Sequence, residues 1–152
     1  MKLWGYLFVA ATALWPAGAQ GAEIGRIRAH LVYEETGRLS EDILAQPDFV
    51  AWNTIIGEGS AEESANDLLV MVEVTGRGGQ ENIEEALEIA ARGDHGRVLA
   101  SRRFAESLLT SDDGRVWKSL WLADVGCAGH IEISARIGRT TRQAELVLDC
   151  GE

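Results

Sequence analysis

The strongest constraint on the fold lies near the end of the chain, where two alternating apolar runs flank a Gly-Arg pair. Apolar residues occupy every second position from Ile131 to Ile137, and alternation resumes from Ala144 to Leu148. Alternation with a period of two is typical of a half-buried strand. Two such runs around Gly138-Arg139 predict a β-hairpin with glycine at the first central position of its turn.

The register of this hairpin brings the two cysteines of the chain together. With Gly138-Arg139 at the turn, Ile131 faces Leu146, and Cys127 then lies opposite Cys150. We therefore predict a structural disulfide between Cys127 and Cys150. The alternatives are a redox pair and a metal site, but the spacing C-x-x-C is absent. The C-x-x-H spacing from Cys127 to His130 lacks the second half of a zinc pattern.

The first nineteen residues predict a secretory signal peptide rather than part of the fold. Met1-Lys2 is followed by an uncharged apolar run over 3–14 and by the small residues of 17–19. Cleavage after Ala19 is favoured over cleavage after Ala22. A transmembrane anchor is the alternative, but the run is shorter than the roughly twenty residues that a bilayer core needs. We expect a single domain over 20–152, periplasmic or secreted, with no membrane insertion after cleavage.

The rest of the chain predicts short strands separated by turns. The ambiguous segment 82–92 favours a strand paired with 97–104, and a short helix over 82–92 is the alternative. About eight antiparallel strands predict an all-β sandwich, with a small barrel as the alternative. The architecture resembles the immunoglobulin-like sandwiches of exported bacterial proteins, at the level of fold only. The strands outside the terminal hairpin are expected over 27–33, 49–56, 68–74, 86–92, 97–104 and 116–123.

Charge and motifs argue against several functions. The formal net charge of −10 disfavours nucleic-acid binding, because phosphates would be repelled. The segment 57–61 (GEGSA) does not have the G-x-S-x-G spacing of a hydrolase elbow, and 76–79 lacks the ending of a phosphate loop. The sequence therefore predicts a non-enzymatic protein without a cofactor.

Metal ligation is a weaker hypothesis that rests on two groups of side chains. Several carboxylates of the acidic loop 57–67 could bind calcium, although the EF-hand spacing is absent. Two histidines could bind copper or zinc if their strands are neighbours, but two imidazoles alone make a weak site. The candidate ligands are Glu58, Glu62, Glu63, Asp67, His30 and His130.

Trp117 and Trp121 have two interpretations. In a strand they share one face, whereas Leu120 and Leu122 take the other. If the tryptophans are exposed, they form a patch for a protein partner, because aromatic residues anchor interfaces. The alternative places them in the core and the leucines under a loop or a neighbouring strand.

These observations together predict an exported, non-enzymatic β-sandwich that binds a macromolecular partner or assists an envelope assembly. A carrier of a small ligand or of Ca, Cu or Zn is the alternative. A periplasmic hydrolase is the third hypothesis.

Overall fold

The computed structural model describes residues 21–151, so the predicted signal peptide over 1–19 lies outside the described residues. Nine strands form within this range. They are β1 (Glu23–Val32), β2 (Asp67–Thr75), β3 (Glu81–Ile83), β4 (Leu87–Arg92), β5 (Val98–Phe104), β6 (Ser107–Leu109), β7 (Arg115–Leu122), β8 (Gly129–Ile137) and β9 (Thr140–Leu148). Short 3-10 turns occur at Ile43–Ala45, Thr54–Ile56 and Asp94–Gly96.

The strands form two main antiparallel sheets. One sheet has the order β1-β2-β7 and the other the order β5-β4-β8-β9, while β3 and β6 make a small separate ribbon. This arrangement confirms the predicted all-β antiparallel class, with nine strands where about eight were expected. A three-stranded sheet facing a four-stranded sheet is compatible with an immunoglobulin-like sandwich.

The core is built from the alternate residues of the facing strands. The inward residues of β2, from Leu68 to Val74, are fully buried, and so are Ile131 and Ile133 of β8. Because successive side chains of a strand point to opposite faces, each sheet contributes one apolar face to this core. Burial of these aliphatic side chains holds the two sheets together, at roughly 1.5–3 kcal/mol for each one fully buried.

The terminal hairpin has the predicted register. Ile131 pairs with Leu146 and Gly129 with Leu148 in the β8–β9 ladder. The Cys127–Cys150 disulfide is present, with the two Cα atoms 5.2 Å apart. It closes the open end of the hairpin, and each cysteine lies two residues beyond the last ladder pair, Gly129 with Leu148. The described residues contain no free cysteine.

Segment 82–92 forms strands, not a helix. As β4, it places Leu87, Ile89 and Ala91 in the core with at most 1% of each residue exposed. The hairpin with 97–104 is confirmed, since Leu87 pairs with Phe104 and the partner strand is β5. Pairing with β8 on the other side fixes the strand conformation despite the helix-favouring composition of the segment.

The strand predicted over 49–56 is wrong. This segment is irregular and ends in the 3-10 turn Thr54–Ile56. Its one β-type pairing within the described residues is an isolated bridge between Trp52 and Asp149, one residue beyond the end of β9. Asn53 has a φ of 46°, a left-handed conformation that no regular strand contains. Thr54 is buried, but the aliphatic β-branched residues Val50 and Ile56 are 57% and 63% exposed.

No helix among the described residues is long and apolar enough to cross a membrane.

Candidate functional site

Strand β7 directs its two tryptophans to the outer surface of the three-stranded sheet. Leu120 and Leu122 point inward and are at most 4% exposed, which leaves Trp117 and Trp121 on the opposite face. We call this surface the tryptophan face. It comprises Arg26, Arg28, His30, Leu69, Met71, Glu73, Trp117 and Trp121.

Trp117 is half-buried beneath two arginines of β1. The guanidinium carbon of Arg28 lies 4.4 Å from the centre of the indole ring, and that of Arg26 lies 5.8 Å from it. A cation over an aromatic face contributes about 0.5–1 kcal/mol at an exposed site. These stacks hold the long arginine side chains close to the sheet.

Glu73, on the central strand β2, forms ion pairs with two arginines. It projects from the outer face of the central strand, yet only 5% of the residue is exposed. Its carboxylate is 3.3 Å from Nε of Arg26 and 3.7 Å from Nη1 of Arg115. Gly25 lies against the Glu73 carboxylate, and a Cβ atom there would overlap it. A buried carboxylate of this kind requires its cations, because an unpaired buried charge is strongly destabilising.

Trp121 is the exposed aromatic residue of the face. It is 49% exposed, and its indole Nε1 donates a hydrogen bond to Oδ2 of Asp67 at 2.9 Å. The other oxygen of Asp67 accepts from the backbone N–H of Asp124 at 2.9 Å. The indole is thus held in one orientation while much of its surface meets solvent. A side chain ordered in advance loses less entropy on binding.

The composition of the tryptophan face matches that of protein interfaces. Leu69 and Met71 of the central strand lie half-buried between β1 and β7. Tryptophan, methionine and arginine are enriched at the centres of interfaces relative to other surfaces. The arrangement has the components of a binding surface, namely fixed aromatic rings, adaptable apolar side chains and oriented guanidinium groups.

The acidic candidates for metal ligation are held by protein donors. Arg38 binds both Glu62 and Glu63, at 3.2 Å and 2.7 Å. The hydrogen bond from Arg38 holds the pKa of Glu63 below its usual range. Glu58 accepts from Nδ2 of Asn53 at 2.8 Å. The fourth candidate, Asp67, orients the indole of Trp121.

The histidine candidates lie on different sheets. His30 is on the outer face of β1, where its Nδ1 is 2.9 Å from the backbone carbonyl oxygen of Ser40. His130 is on the outer face of β8, with its Nε2 3.4 Å from a carboxylate oxygen of Glu145. The core lies between these two faces, so the strands are not neighbours as a shared copper or zinc site requires. No group of three or more His, Cys, Asp or Glu side chains suited to a metal occurs within residues 21–151.

A separate cleft of about 640 Å³ opens beside the disulfide at one end of the sandwich. Its walls include Arg97, Glu34 and Asp124, together with the apolar side chains of Val98 and Leu99. Asp124 has a φ of 54°, in the left-handed region that residues other than glycine rarely adopt. The cleft offers a cation and two carboxylates to a small polar molecule.

Sequence reasoning placed the two tryptophans on one strand face but missed the cluster beneath them. Its only signal was Glu73, the single charged residue within the apolar run 68–74. The β-bulge of β1 between Ile24 and Ile27, which brings Gly25 and Arg26 onto Glu73, follows from tertiary pairing.

Comparisons with known proteins give no family. No family model matches the chain, and no curated protein matches it in sequence. Among solved structures, a β-glucuronidase of Bifidobacterium dentium complexed with coumarin-3-O-glucuronide is similar, with 13% identity and a TM-score of 0.41. The match covers 84% of this chain and 18% of the glucuronidase chain. A similarity this low supports no argument about fold or activity.

Proposed function

We propose that the chain is an exported, non-enzymatic binding domain that docks another protein on its tryptophan face, as a stable partner or during an envelope assembly. The observation that carries the proposal is the fixed pair of indoles. The guanidinium carbon of Arg28 lies 4.4 Å from the centre of the Trp117 ring. Trp121 donates a hydrogen bond to Asp67 and is 49% exposed.

Energetic considerations support this use of the face. Binding hot spots are enriched in tryptophan and arginine, and truncation of one costs at least about 2 kcal/mol. A change of that size corresponds to about thirtyfold in the dissociation constant. The hydrogen bond and the cation stacks already fix these side chains, so less entropy is lost when a partner binds.

The charges of the face favour an acidic protein surface as the partner. Arg28 has no ion pair within the described residues, whereas the charges of Arg26 and Arg115 are shared with Glu73. A carboxylate of the partner would give Arg28 its missing counter-ion. Complementary charges of this kind contribute to specificity and to the association rate.

Export is supported by the disulfide and by the predicted leader. A stable Cys127–Cys150 bridge is typical of proteins that reside in oxidising compartments. Together with the signal-peptide pattern over 1–19, this bridge favours the periplasm or the cell exterior as the location.

Site-specific crosslinking in the exporting cell tests the proposal. A photoreactive benzoylphenylalanine replaces Trp121 in the full chain, or replaces Val147 as the matched control. Val147 is 47% exposed on the opposite sheet, close to the 49% of Trp121. We expect crosslinks to one acidic protein from position 121 and none to that protein from position 147.

The crosslinked protein is then purified and titrated with the unmodified chain and its variants. Trp121→Ala is expected to weaken binding about thirtyfold, as for a hot spot. Val147→Ala is expected to change it less than about threefold, as a residue outside the contact. Absence of crosslinks from position 121, or an unchanged dissociation constant for Trp121→Ala, would overturn the proposal.

The second candidate function is that of a small-ligand carrier, and the cleft at Arg97 is the observation that favours it. Its opposed charges suit a zwitterion such as a free amino acid. Thermal melts of the full chain with millimolar amino acids test this function, because a ligand of the native state raises its stability. A shift that disappears in Arg97→Gln supports the carrier, and the absence of any shift rules it out for this ligand class.

A further inference from the structure

The side of β7 that faces away from β2 is an open sheet edge. Nη1 of Arg102 donates a hydrogen bond to the carbonyl oxygen of Ser119 at 3.2 Å, so this carbonyl points away from β2. In an antiparallel ladder, residues alternate between those that bond the partner and those that point both backbone groups outward. Trp117 and Trp121 share the parity of Ser119. Their N–H and C=O groups therefore line the same free edge.

The opposite edge of this sheet is covered. Along β1, Oγ of Ser40 accepts from the N–H of Leu31 at 2.9 Å, and Oδ1 of Asp42 accepts from that of Ala29 at 3.1 Å. The loop after β1 thus satisfies the outward backbone donors of Ala29 and Leu31. Within residues 21–151, the bond from Arg102 is the one contact of this kind made to the backbone of 116–122. The sheet edge is therefore covered at residues 29–31 of β1 and open along β7.

The neighbouring sheet leaves apolar surface beside this edge. Strand β5 pairs with β4, and its inward positions Ala100 and Phe104 lie opposite the buried residues Ala91 and Leu87. Both β5 residues nevertheless remain partly exposed. A strand added to β7 would extend the three-stranded sheet over them, because stacked sheets bury the side chains between them.

Two cations without carboxylate partners lie beside the free edge of β7. The guanidinium of Arg102 lies 4.4 Å from the centre of the Phe104 ring, and Nζ of Lys118 lies 5.2 Å from it. Neither forms an ion pair within the described residues. Inward-pointing charges on edge strands disfavour pairing with a second copy, since each copy would bring the same cations. The same charges favour a segment that carries carboxylates.

The acidic character of the whole chain does not cancel this preference. The formal net charge is −10, but charges are screened over about 8 Å at physiological ionic strength. At contact distance, Arg102 and Lys118 dominate the field that an approaching segment meets.

We infer that the free edge of β7 binds an extended acidic segment of another protein by strand addition, an inference that rests on the proposed function. The segment pairs its backbone with Trp117, Ser119 and Trp121, and its carboxylates meet Arg102 and Lys118. Strand addition of this kind takes affinity from main-chain hydrogen bonds and specificity from alternate side chains.

Synthetic peptides that carry valine and aspartate in turn along one strand face, with threonine at the intervening positions, are the probe, because Arg102, Lys118 and the apolar side chains of β5 all lie on the same inward face. They are titrated into the full exported chain and followed by tryptophan fluorescence. A lysine-for-aspartate peptide tests charge. Two further peptides carry N-methyl groups on alternate residues, one set at odd and the other at even positions. We expect the acidic peptide to bind at least about tenfold more tightly than the lysine peptide, as complementary charge requires. One N-methylated set should lose binding and the other should keep it, because only alternate N–H groups face β7.

A substitution on the protein tests the edge independently. Ser119→Pro removes an N–H group that makes no bond to β2, and proline is tolerated at such edge positions. It should weaken binding of the peptide at least about tenfold, since a strand-addition bond is lost. Ser119→Ala retains the N–H and should leave binding unchanged. Slower hydrogen exchange of the Ser119 amide on peptide binding to the unsubstituted chain is a further expected result.

Several results would overturn the inference. Equal binding of both N-methylated peptides, equal binding of the lysine peptide, or failure of the acidic peptide to bind at millimolar concentration each exclude it. A dimer of the chain that Ser119→Pro abolishes would make a second copy the occupant. If the crosslinked partner is lost with Trp121→Ala but retained with Ser119→Pro, the proposed function stands and strand addition falls. If neither change affects that partner, both fall.

Discussion

Removal of the Cys127–Cys150 disulfide gives the sharpest test of how the fold is stabilised. The bridge joins residues 23 apart in sequence across a hairpin whose ladder is already complete. In the chain-entropy account, its main effect is to restrict the unfolded chain. A loop of this length corresponds to about 3 kcal/mol of stability at room temperature. For a domain of this size, that loss lowers Tm by roughly 10 °C.

The measurement is equilibrium unfolding in urea of the oxidised chain and of the Cys127→Ser/Cys150→Ser double variant. Substitution of both cysteines avoids a free thiol that could join two chains. We expect a lower free energy of unfolding for the variant and a larger m-value, because the unfolded chain becomes less compact. The native far-UV spectrum should be unchanged, since β8 and β9 keep their pairing and their buried residues.

A loss smaller than about 1 kcal/mol with an unchanged m-value would refute the reasoning. It would mean that the unfolded ensemble retains the hairpin without the bridge. A variant with no cooperative unfolding transition would also contradict the view that the disulfide acts mainly on the unfolded chain. The disulfide would then hold the native hairpin together rather than restrict the unfolded state.

Two further predictions concern charged groups on the outer faces. Gly25→Ala should destabilise the chain by about 1–3 kcal/mol, as overpacking does, because the new Cβ meets the Glu73 carboxylate. Thermal melts should show little further loss when Glu73→Ala accompanies Gly25→Ala, and additive losses would contradict the proposed overlap. Hydrogen bonds from Arg136 and then Arg103 lower the pKa of Glu88. The stabilising contribution of Glu88 is therefore present above its unfolded pKa and is lost as the pH falls through its folded pKa. The free energy of unfolding of Glu88→Gln should depend less on pH in that acidic range. An unaltered pH profile of stability would contradict this role of Glu88.

The terminal hairpin could be predicted from sequence because three independent signals agree there. Alternation, the Gly-Arg turn and the positions of Cys127 and Cys150 all imply one register, and the structure has that register. Each signal is local in sequence, so no knowledge of the remaining chain was needed.

The prediction of a strand over 49–56 was wrong because it rested on composition alone. Its β-branched and aromatic residues favour a strand, but a strand also requires a partner along its length. The edge of β1 is bonded by Ser40 and Asp42, and the segment pairs only through the isolated bridge from Trp52 to Asp149, beyond the end of β9, within the described residues. Composition indicates the strand propensity of a segment but carries no information about whether a partner strand is available.

The tryptophan face lies between these cases. Alternation showed that Trp117 and Trp121 share a face, but Leu120 and Leu122 made the other face equally apolar. Which set is buried depends on the neighbours of β7. Glu73 and its arginines converge from three strands, and no local pattern encodes such a convergence.

The covered edge of β1 has a consequence for how copies of the chain can associate. A sheet that accepts strands along both flanks can be extended without end, as in fibrils. Here the Ser40–Asp42 loop occupies one flank, so molecules linked through this sheet could join only as a closed pair. The loop thereby prevents this sheet from serving as a repeating unit of a polymer, even when the protein is highly concentrated.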